Sequence, residues 1–393
     1  MTPAARVQGA IELLDAIIDA ARRGGASADR IAHEWFKSRR FAGSGDRRAI
    51  RDLAWRAIRA SGEVPPSGRA ALLLLAKDDE ALVPLFDGST HGPAPVDPDE
   101  PVARSGLAPA WLVKQMRASD LDWDEIGALL ERAPLDLRAN RLKTTREALA
   151  ESLETPSEPT AARDGLRLLT AANVDRWPQF EQGLFEVQDT GSQLACEALG
   201  ASPGESVIDL CAGAGGKTLA LAAAMDNRGT LLACDTDRTR LQRIPPRAER
   251  AGAAIETRLL NPGQEAAMLA DWAVRADAVL IDAPCSGTGT WRRNPETRWR
   301  LTPRILESTA VVQAALLDIA AGLVRPGGRI CYVVCSLLDR EGADQAAAFL
   351  ARNPQWRAAD VVMPLGTPRG TGRRLTPLHD GTDGFFVACL ERL

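Results

Sequence analysis

Two cysteines, Cys285 and Cys335, end two apolar runs in the second half of the chain. The runs read AVLIDAPCSG at 278–287 and RICYVVCS at 329–336. Each run predicts a buried strand that delivers a thiol to the carboxyl edge of a parallel sheet, where open α/β sheets place their chemistry. A lone apolar cysteine is more often core filling. A functional interpretation therefore depends on what surrounds these two thiols.

The elements around both cysteines alternate between strand and helix from residue 203 onward, which is typical of a doubly wound parallel sheet. Strands are predicted at 205–211, 229–235, 255–260, 277–282 and 328–335, with a last one at 384–392. Helices are predicted near 217–225, 237–252, 303–323 and 341–352. This order would bring both thiols to one edge of one sheet.

A glycine-rich turn joins the first of these strands to its helix, in the sequence DLCAGAGGKT at 209–218. A phosphate loop needs glycine where Cys211 stands, and a dinucleotide fingerprint needs its third glycine where Thr218 stands. What remains is a Gly-x-Gly turn followed by Asp235 at the end of the next strand, an acid that can accept both ribose hydroxyls of an adenosine. A merely structural turn is the alternative.

The composition of the chain excludes several classes of functional site. The chain has 393 residues, a formal net charge of −4 and three scattered histidines, so neither a zinc site nor a histidine triad has the ligands it needs. Its seven cysteines are odd in number, and no secretory signal or apolar run of spanning length is evident. These features predict a cytoplasmic protein of two or three domains, without metal or membrane.

The first 87 residues predict a helical bundle, because apolar residues recur at helical spacing in 8–22, 47–60 and 70–76. Arginines cluster around the turn at 43–45, where an RNA contact and a solvated helix face are equally compatible with the sequence. A Pro/Gly/Asp-rich stretch at 88–108 predicts a linker. Helices at 109–118 and 123–132, a strand at 136–142 and a small mixed α/β region then precede the large sheet.

A second basic segment, TWRRNPETRWR at 290–300, follows Cys285. Arginine with interleaved tryptophan is suited to single-stranded RNA, where guanidinium groups meet phosphates and indoles stack on bases. A solvated basic loop is the alternative interpretation.

Several of these motifs together resemble the RNA cytosine-5 methyltransferases, close to the bacterial RsmB type that acts on 16S rRNA. The resemblance is carried by the segments 209–218, IDAPCSG at 281–287, YVVCS at 332–336, LRANRLK at 137–143, VQDTGSQ at 187–193 and DGFF at 383–386. It departs at Gly213 and Ala214, where the family has Ala-Pro, and at Val334, where Thr is common. Asn261 stands where the family has an aspartate that meets adenine, and an amide oxygen can accept the same hydrogen bond.

The resemblance implies an α/β fold: a class I S-adenosylmethionine methyltransferase (Rossmann-like) domain, an all-α NusB-like N-terminal domain and a small α/β RNA-binding insert. The implied domains are a helical RNA-binding domain at 1–87, the linker at 88–108, the small RNA-binding subdomain at 109–190 and the methyltransferase domain at 191–393. S-adenosyl-L-methionine is the implied cofactor and 16S rRNA the implied partner of a monomeric enzyme that needs no metal.

Roles for individual residues follow from the same resemblance. Cys335 is implied as the nucleophile and Cys285 as the residue that assists product release, an order that the residues alone leave open. Asp282 is expected beside the base, held protonated by burial so that it can donate to the ring, and Lys217 is the nearest cation to the thiols. The expected cofactor-binding residues are Cys211, Ala212, Gly213, Ala214, Gly215, Gly216, Lys217, Asp235, Asn261 and Asp282. The expected RNA-binding residues are Arg292, Arg293, Arg298, Arg138, Asn140 and Lys143.

Two other function classes remain at this point. A catalytically inactive RNA-binding or ribosome-assembly factor on the same fold is disfavoured by the intact pair Cys285 and Cys335. A small-molecule methyltransferase is disfavoured by the extra N-terminal domain and the Arg/Trp segment.

Overall fold

The computed structural model describes all of residues 1–393. The helices are α1 (Pro3–Arg23), α2 (Ala28–Ser38), α3 (Ser44–Ala60), α4 (Gly68–Asp78), α5 (Ala110–Ala118), α6 (Trp123–Ala128), α7 (Arg146–Ser152), α8 (Pro178–Glu181), α9 (Thr190–Leu199), α10 (Gly216–Ala224), α11 (Arg238–Leu241), α12 (Ile244–Ala251), α13 (Glu265–Met268), α14 (Pro303–Leu323), α15 (Ala343–Arg352) and α16 (Pro377–Asp380). The strands are β1 (Leu135–Ala139), β2 (Ser157–Pro159), β3 (Gly165–Leu168), β4 (Phe185–Val187), β5 (Ser206–Asp209), β6 (Thr230–Asp235), β7 (Glu256–Leu259), β8 (Ala276–Asp282), β9 (Val324–Val334), β10 (Trp356–Ala359), β11 (Thr367–Arg369), β12 (Gly372–Leu375) and β13 (Phe385–Arg392).

The chain forms two compact units, and one of them is discontinuous in sequence. Unit 1 comprises Met1–Arg132 and Thr290–Thr302, and unit 2 comprises Ala133–Gly289 and Pro303–Leu393. This division differs from the predicted domains, because α5 and α6 belong to the helical unit and not to the small α/β subdomain. A segment from the middle of the predicted methyltransferase domain also joins unit 1.

Unit 1 is a helical bundle whose core comes from the apolar faces of α1 to α4. Helix α2, which the sequence analysis did not predict, buries Trp35 and Phe36 in that core. The predicted linker is packed against the bundle: Ala103 N donates to Ala70 O at 3.0 Å, and Arg69 forms an ion pair with Glu100. The Pro/Gly-rich segment 88–108 is therefore irregular but held against the bundle, because its backbone forms a hydrogen bond with α4.

The basic segment 290–302 completes the core of unit 1. Arg298 is 0% exposed and donates to Ile58 O at 2.7 Å and to Ser61 O at 2.9 Å, while Trp299 Nε1 donates to Ser61 O at 3.1 Å. Arg292 is also buried, and its guanidinium donates to Arg132 O. The prediction that Arg292 and Arg298 contact RNA is wrong, because these guanidinium groups are buried among backbone carbonyls of unit 1. The half-buried Arg293 stays a prediction.

Unit 2 begins with a four-stranded antiparallel sheet in the order β2-β3-β1-β4. Arg138 on β1 is buried and donates to Gln188 and to Gly216 O, and the buried Asn140 amide donates to the carbonyls of Gly183 and Ala251 at 2.8 Å. The prediction that Arg138 and Asn140 contact RNA directly is therefore wrong, because they tie this small sheet to the large one. Lys143 is exposed, so its predicted RNA contact remains a prediction.

The large sheet of unit 2 has the order β11-β12-β13-β9-β8-β5-β6-β7, with β10 paired to β13. Strands β5 to β9 are mutually parallel, whereas β10 to β13 are antiparallel additions. The predicted α/β fold is confirmed, with a mixed rather than a purely parallel sheet. The apolar runs of β8 and β9 are buried because helices cover both faces of a parallel core.

Helix α14 packs on β8 and β9 through Leu316, Leu317 and Ala320. By length and composition alone it is also apolar enough to cross a membrane. The prediction that no apolar run reaches spanning length is therefore wrong, although such a helix is weak support for a membrane span when it covers a sheet.

A fully buried carboxylate, Asp209, ends β5 where the glycine-rich turn begins. Its Oδ2 accepts a hydrogen bond from Thr218 Oγ1 at 2.6 Å, which joins the end of β5 to α10. Burial raises the pKa of Asp209 to about 7, although the bond from Thr218 opposes that shift.

Arg298→Ala should lower the free energy of unfolding by about 2 to 4 kcal/mol, because it leaves buried carbonyls of α3 and its following turn without a donor. Denaturant unfolding monitored by circular dichroism measures this. Arg304→Ala, which removes an exposed arginine nearby in sequence, is the matched control and should stay within about 0.5 kcal/mol of the wild type. Equal effects of the two variants would contradict the buried role of Arg298.

Asp209→Asn should make the melting temperature less dependent on pH. Because the folded-state pKa of Asp209 lies above that of the unfolded chain, its contribution to stability is fully present below about pH 4 and is lost as pH rises through about 7. The amide keeps an acceptor for Thr218 but does not ionise. Differential scanning calorimetry should therefore show the variant gaining on the wild type between pH 4 and 7, and a constant difference would rule out this titration.

Candidate active site

The two predicted thiols meet at the carboxyl edge of the large sheet. Cys285 lies three residues after β8 and Cys335 directly after β9, and their Sγ atoms are 3.5 Å apart. Both are partly exposed, whereas four of the other five cysteines are buried. The parallel pairing of β8 with β9, which sets Asp282 opposite Val333, brings the two chain segments together. The sequence expectation that both thiols reach one edge is thus met in the structure.

Lys217 supplies positive charge beside this pair. It lies in the first turn of α10, and its Nζ is 2.8 Å from Asp282 Oδ2 and 5.6 Å from the centre of the Phe385 ring. Burial acts to lower the pKa of Lys217, but the carboxylate of Asp282 outweighs it and the pKa is raised overall. Lys217 therefore remains an ammonium ion that can stabilise a thiolate nearby.

Asp282 differs from its expected state. Its side chain is 32% exposed and ion-paired with Lys217. The burial expected for Asp282 is therefore wrong, because sequence position did not reveal the lysine that faces it.

The two thiols have different surroundings. The contact with Cys335 and burial raise the pKa of Cys285 well above its ordinary value. Lys217 interacts electrostatically with Cys335. The raised pKa keeps Cys285 as a thiol that can donate a hydrogen bond to Cys335.

Buried hydroxyls follow each cysteine immediately. Ser286 Oγ and Ser336 Oγ are 3.2 Å apart, and Thr288 Oγ1 is 3.1 Å from Ser336 Oγ. The carboxylate of Glu341, which is 0% exposed, accepts hydrogen bonds from Ser286 N at 2.9 Å and from Ser286 Oγ. Sequence analysis did not single out these residues, and only the Cys-Ser pair in both motifs could have signalled them.

A second cradle lies at the glycine-rich turn. Gly213 and Gly215 have φ values of +54° and +85°, which side chains rarely adopt. Asp235 accepts bonds from Gly213 N and Asp237 N, both at 2.7 Å, so its carboxylate is held at the end of β6 beside the turn. A Cβ on Gly213 would lie 2.6 Å from the guanidinium of Arg240, a residue that the sequence analysis missed.

The remaining predicted cofactor residues surround this cradle. Ala212 N donates to Cys234 O, and Gly215 N donates to Ala212 O, which closes the turn. Leu260 N donates to Asp235 O, which brings the exposed Asn261 next in sequence to the same sheet edge. The other members of the turn are Cys211, Ala214 and Gly216. Asp235 and Asn261 provide polar groups beside this glycine-rich turn, as an adenosine-containing cofactor requires, so the predicted cofactor set is compatible with the structure.

Comparison with known proteins identifies the family. Residues 196–391 match the 16S rRNA methyltransferase RsmB/F family. Ribosomal RNA small subunit methyltransferase B from Xanthomonas campestris is 36% identical over 292 residues, which cover 72% of this chain and 66% of that protein. The protein of the same name from Serratia proteamaculans is 33% identical, covering 73% of this chain and 67% of that protein. The chain thus spans about two thirds of the length of these relatives.

Solved structures agree with this result. PH0851 is 26% identical with a TM-score of 0.77, and the match covers 98% of this chain and 99% of that one. A methyltransferase homolog protein from Pyrococcus horikoshii is 25% identical with a TM-score of 0.61, covering 72% of this chain and 99% of that one. The fold is that of the S-adenosylmethionine-dependent methyltransferases, and the helical N-terminal region fits a NusB-like domain. From these matches and the two thiols at the sheet edge, the chain belongs to the RsmB/F family of 16S rRNA methyltransferases.

Proposed function

We propose that this protein transfers a methyl group from S-adenosyl-L-methionine to carbon 5 of a cytosine in small-subunit rRNA, through a covalent cysteine adduct at carbon 6. The observation that carries the proposal is the pair of thiols 3.5 Å apart, at the same sheet edge as the Lys217–Asp282 ion pair and the glycine cradle. Relatives named for rRNA methylation support the RNA substrate.

Cytosine carbon 5 is a weak nucleophile, so a thiolate must first add to carbon 6 and turn the ring into an enamine. The cofactor supplies an electrophilic methyl group when bound. The protein must then favour a thiolate in the resting site, orient the base and remove the carbon-5 proton after transfer. Two adjacent thiols suit these separate tasks, one adding to carbon 6 and the other assisting release.

Cys335 is assigned as the nucleophile, because Cys285 can donate a hydrogen bond to its sulfur and Lys217 interacts with it electrostatically. Cys285 is assigned to product release. Asp282, which is a third exposed, can accept a hydrogen bond from the amino group of the base while it holds Lys217 in place.

The cofactor cradle is assigned to the turn from Cys211 to Lys217 together with Asp235 and Asn261. Each carboxylate oxygen of Asp235 accepts one hydrogen bond within the protein. A carboxylate oxygen can accept a second hydrogen bond, here from a ribose hydroxyl. We further propose that the enzyme is cytoplasmic and monomeric. An inactive assembly factor is the alternative, but it would have no use for the thiol pair or its buried hydroxyls.

Asp235→Ala should weaken S-adenosylmethionine affinity by about 1.5 to 3 kcal/mol, the scale of hydrogen bonds to a charged group. The variant also releases Gly213 N, so the cradle loses an anchor. Isothermal titration calorimetry measures the change, and Asp226→Ala, which removes an exposed carboxylate, is the control. Unchanged affinity in Asp235→Ala would remove this residue from the cofactor site.

Cys285→Ala should accumulate a covalent protein–RNA adduct, because attack by Cys335 proceeds while release is blocked. Cys335→Ala should form none and should lose turnover. Denaturing gels with unmethylated small-subunit rRNA and cofactor detect the adduct, and Cys331→Ala, which alters a buried thiol of β9, should behave as the wild type. An adduct in Cys335→Ala and none in Cys285→Ala would reverse the two roles.

A further inference from the structure

We propose that Glu341 is a positioning residue that locks the two cysteine loops together and so holds the thiols at reacting distance. The inference rests on the proposed function for its catalytic meaning, but the geometry stands without it. Glu341 lies in the turn between β9 and α15, away from the motifs that carry the cysteines, and its side chain is 0% exposed.

The first link runs to the loop that carries Cys285. Ser286, the next residue, donates to Glu341 through both its backbone N–H, at 2.9 Å, and its hydroxyl. Two bonds from one residue to one carboxylate fix the direction of the peptide that joins Cys285 to Ser286. Displacement of Glu341 would therefore rotate the Cys285 side chain.

The second link runs to the segment that carries Cys335. Ser336 Oγ meets both Ser286 Oγ and Thr288 Oγ1, and Leu337 N donates to Thr288 Oγ1 at 2.9 Å. Each catalytic cysteine is thus followed by a serine, and the two serines contact each other beside the carboxylate.

The third link runs to helix α14 behind the loops. Thr309 Oγ1 donates to Glu341 Oε1 at 2.8 Å. Gln313 Nε2 donates to Pro284 O at 3.0 Å and lies 3.3 Å from the same oxygen of Glu341. Gln313 therefore holds Pro284, the residue before Cys285, by a hydrogen bond to its carbonyl. Ser286, the residue after Cys285, is hydrogen-bonded to the Glu341 carboxylate.

A fully buried carboxylate is unfavourable unless donors surround it. Glu341 has four: Ser286 N, Ser286 Oγ, Thr309 Oγ1 and Gln313 Nε2. Tyr332 of β9 adds a bond from its hydroxyl to the Glu341 carbonyl at 2.6 Å. An anion with this many partners constrains all of them, which is what two thiols on separate loops require.

Glu341→Gln tests the proposal, because it keeps the shape but replaces one acceptor oxygen with an amide NH2 group. Ser286 N–H cannot bond to that group, and the hydroxyls of Ser286 and Thr309 can do so only by reversing their hydrogen bonds. The control is Asp344→Asn, an equivalent change at an exposed carboxylate three residues later. Thr309→Val, which removes one donor only, is a milder second variant should Glu341→Gln fail to fold. Cofactor binding by calorimetry reports an intact cradle in each protein.

Two measurements report on the relative position of the two thiols. The first is kcat and KM for methyl transfer to unmethylated small-subunit rRNA. The second needs no RNA: diamide takes two electrons from the thiol pair and becomes a hydrazine, while both thiols lose their protons and form a disulfide. Peptide mapping counts the Cys285–Cys335 disulfide separately from any formed by other cysteines.

Glu341→Gln should bind cofactor normally, lose about 100-fold in kcat with little change in KM, and form the Cys285–Cys335 disulfide more slowly, since displacement by about 1 Å costs that much in rate. Thr309→Val should move both readouts in the same direction by less. Disulfide formation at the wild-type rate in Glu341→Gln would overturn the proposal, whatever happens to kcat. Slower disulfide formation with no methyl transfer by the wild type would instead overturn the proposed function and leave the positioning role standing.

Discussion

The parallel pairing of β8 with β9 is the constraint on which the rest of the site depends. Two adjacent parallel strands end at the same edge, and the register that sets Asp282 opposite Val333 leaves Cys285 and Cys335 on short segments that must turn within contact of each other. Two neighbouring glycines, Gly289 and Gly384, support those turns. Gly289 N donates to Cys335 O, and Gly384 approaches Gly289 so closely that a Cβ on Gly289 would lie 2.1 Å from its carbonyl oxygen. The DGFF motif at 383–386 is thus part of the support for the thiols.

Much of unit 2 could be predicted because its signals are local. The apolar runs, the glycine turn and the acid at the end of β6 each depend on neighbours within a few residues. The strands that were predicted lie within a few residues of the observed bounds, apart from the earlier start of β9, whereas β2 to β4 and β10 to β12 were not predicted. The arginines could not be predicted. Arg298 is buried by carbonyls some 240 positions earlier in the chain, and Arg138 by Gly216. Sequence shows that a guanidinium needs acceptors, but not whether they come from RNA or from a distant backbone.

Four acidic side chains near the sheet edge have different hydrogen-bonding and ion-pair partners. The carboxylate of Asp209 has one hydrogen bond and a raised pKa, whereas Asp282 has the ammonium ion of Lys217 as its partner. Glu341 instead accepts hydrogen bonds from neutral donors on Ser286, Thr309 and Gln313. Asp235 lies between these cases, because its carboxylate accepts hydrogen bonds from two backbone N–H groups. The environment of each acid, rather than its residue type, decides whether it anchors the backbone, pairs a cation or faces a ligand.

The discontinuity of unit 1 has a consequence for synthesis on the ribosome. The first 132 residues emerge early, but the bundle lacks Trp299 and the donors of Arg298 until residue 302 has been made. At the usual speed of translation this delay is on the order of tens of seconds. During that interval an apolar cleft and several carbonyls of the bundle stay uncovered, while β5 to β8 are already being added. The helical unit thus cannot finish folding first, and its completion is timed by the catalytic half of the chain.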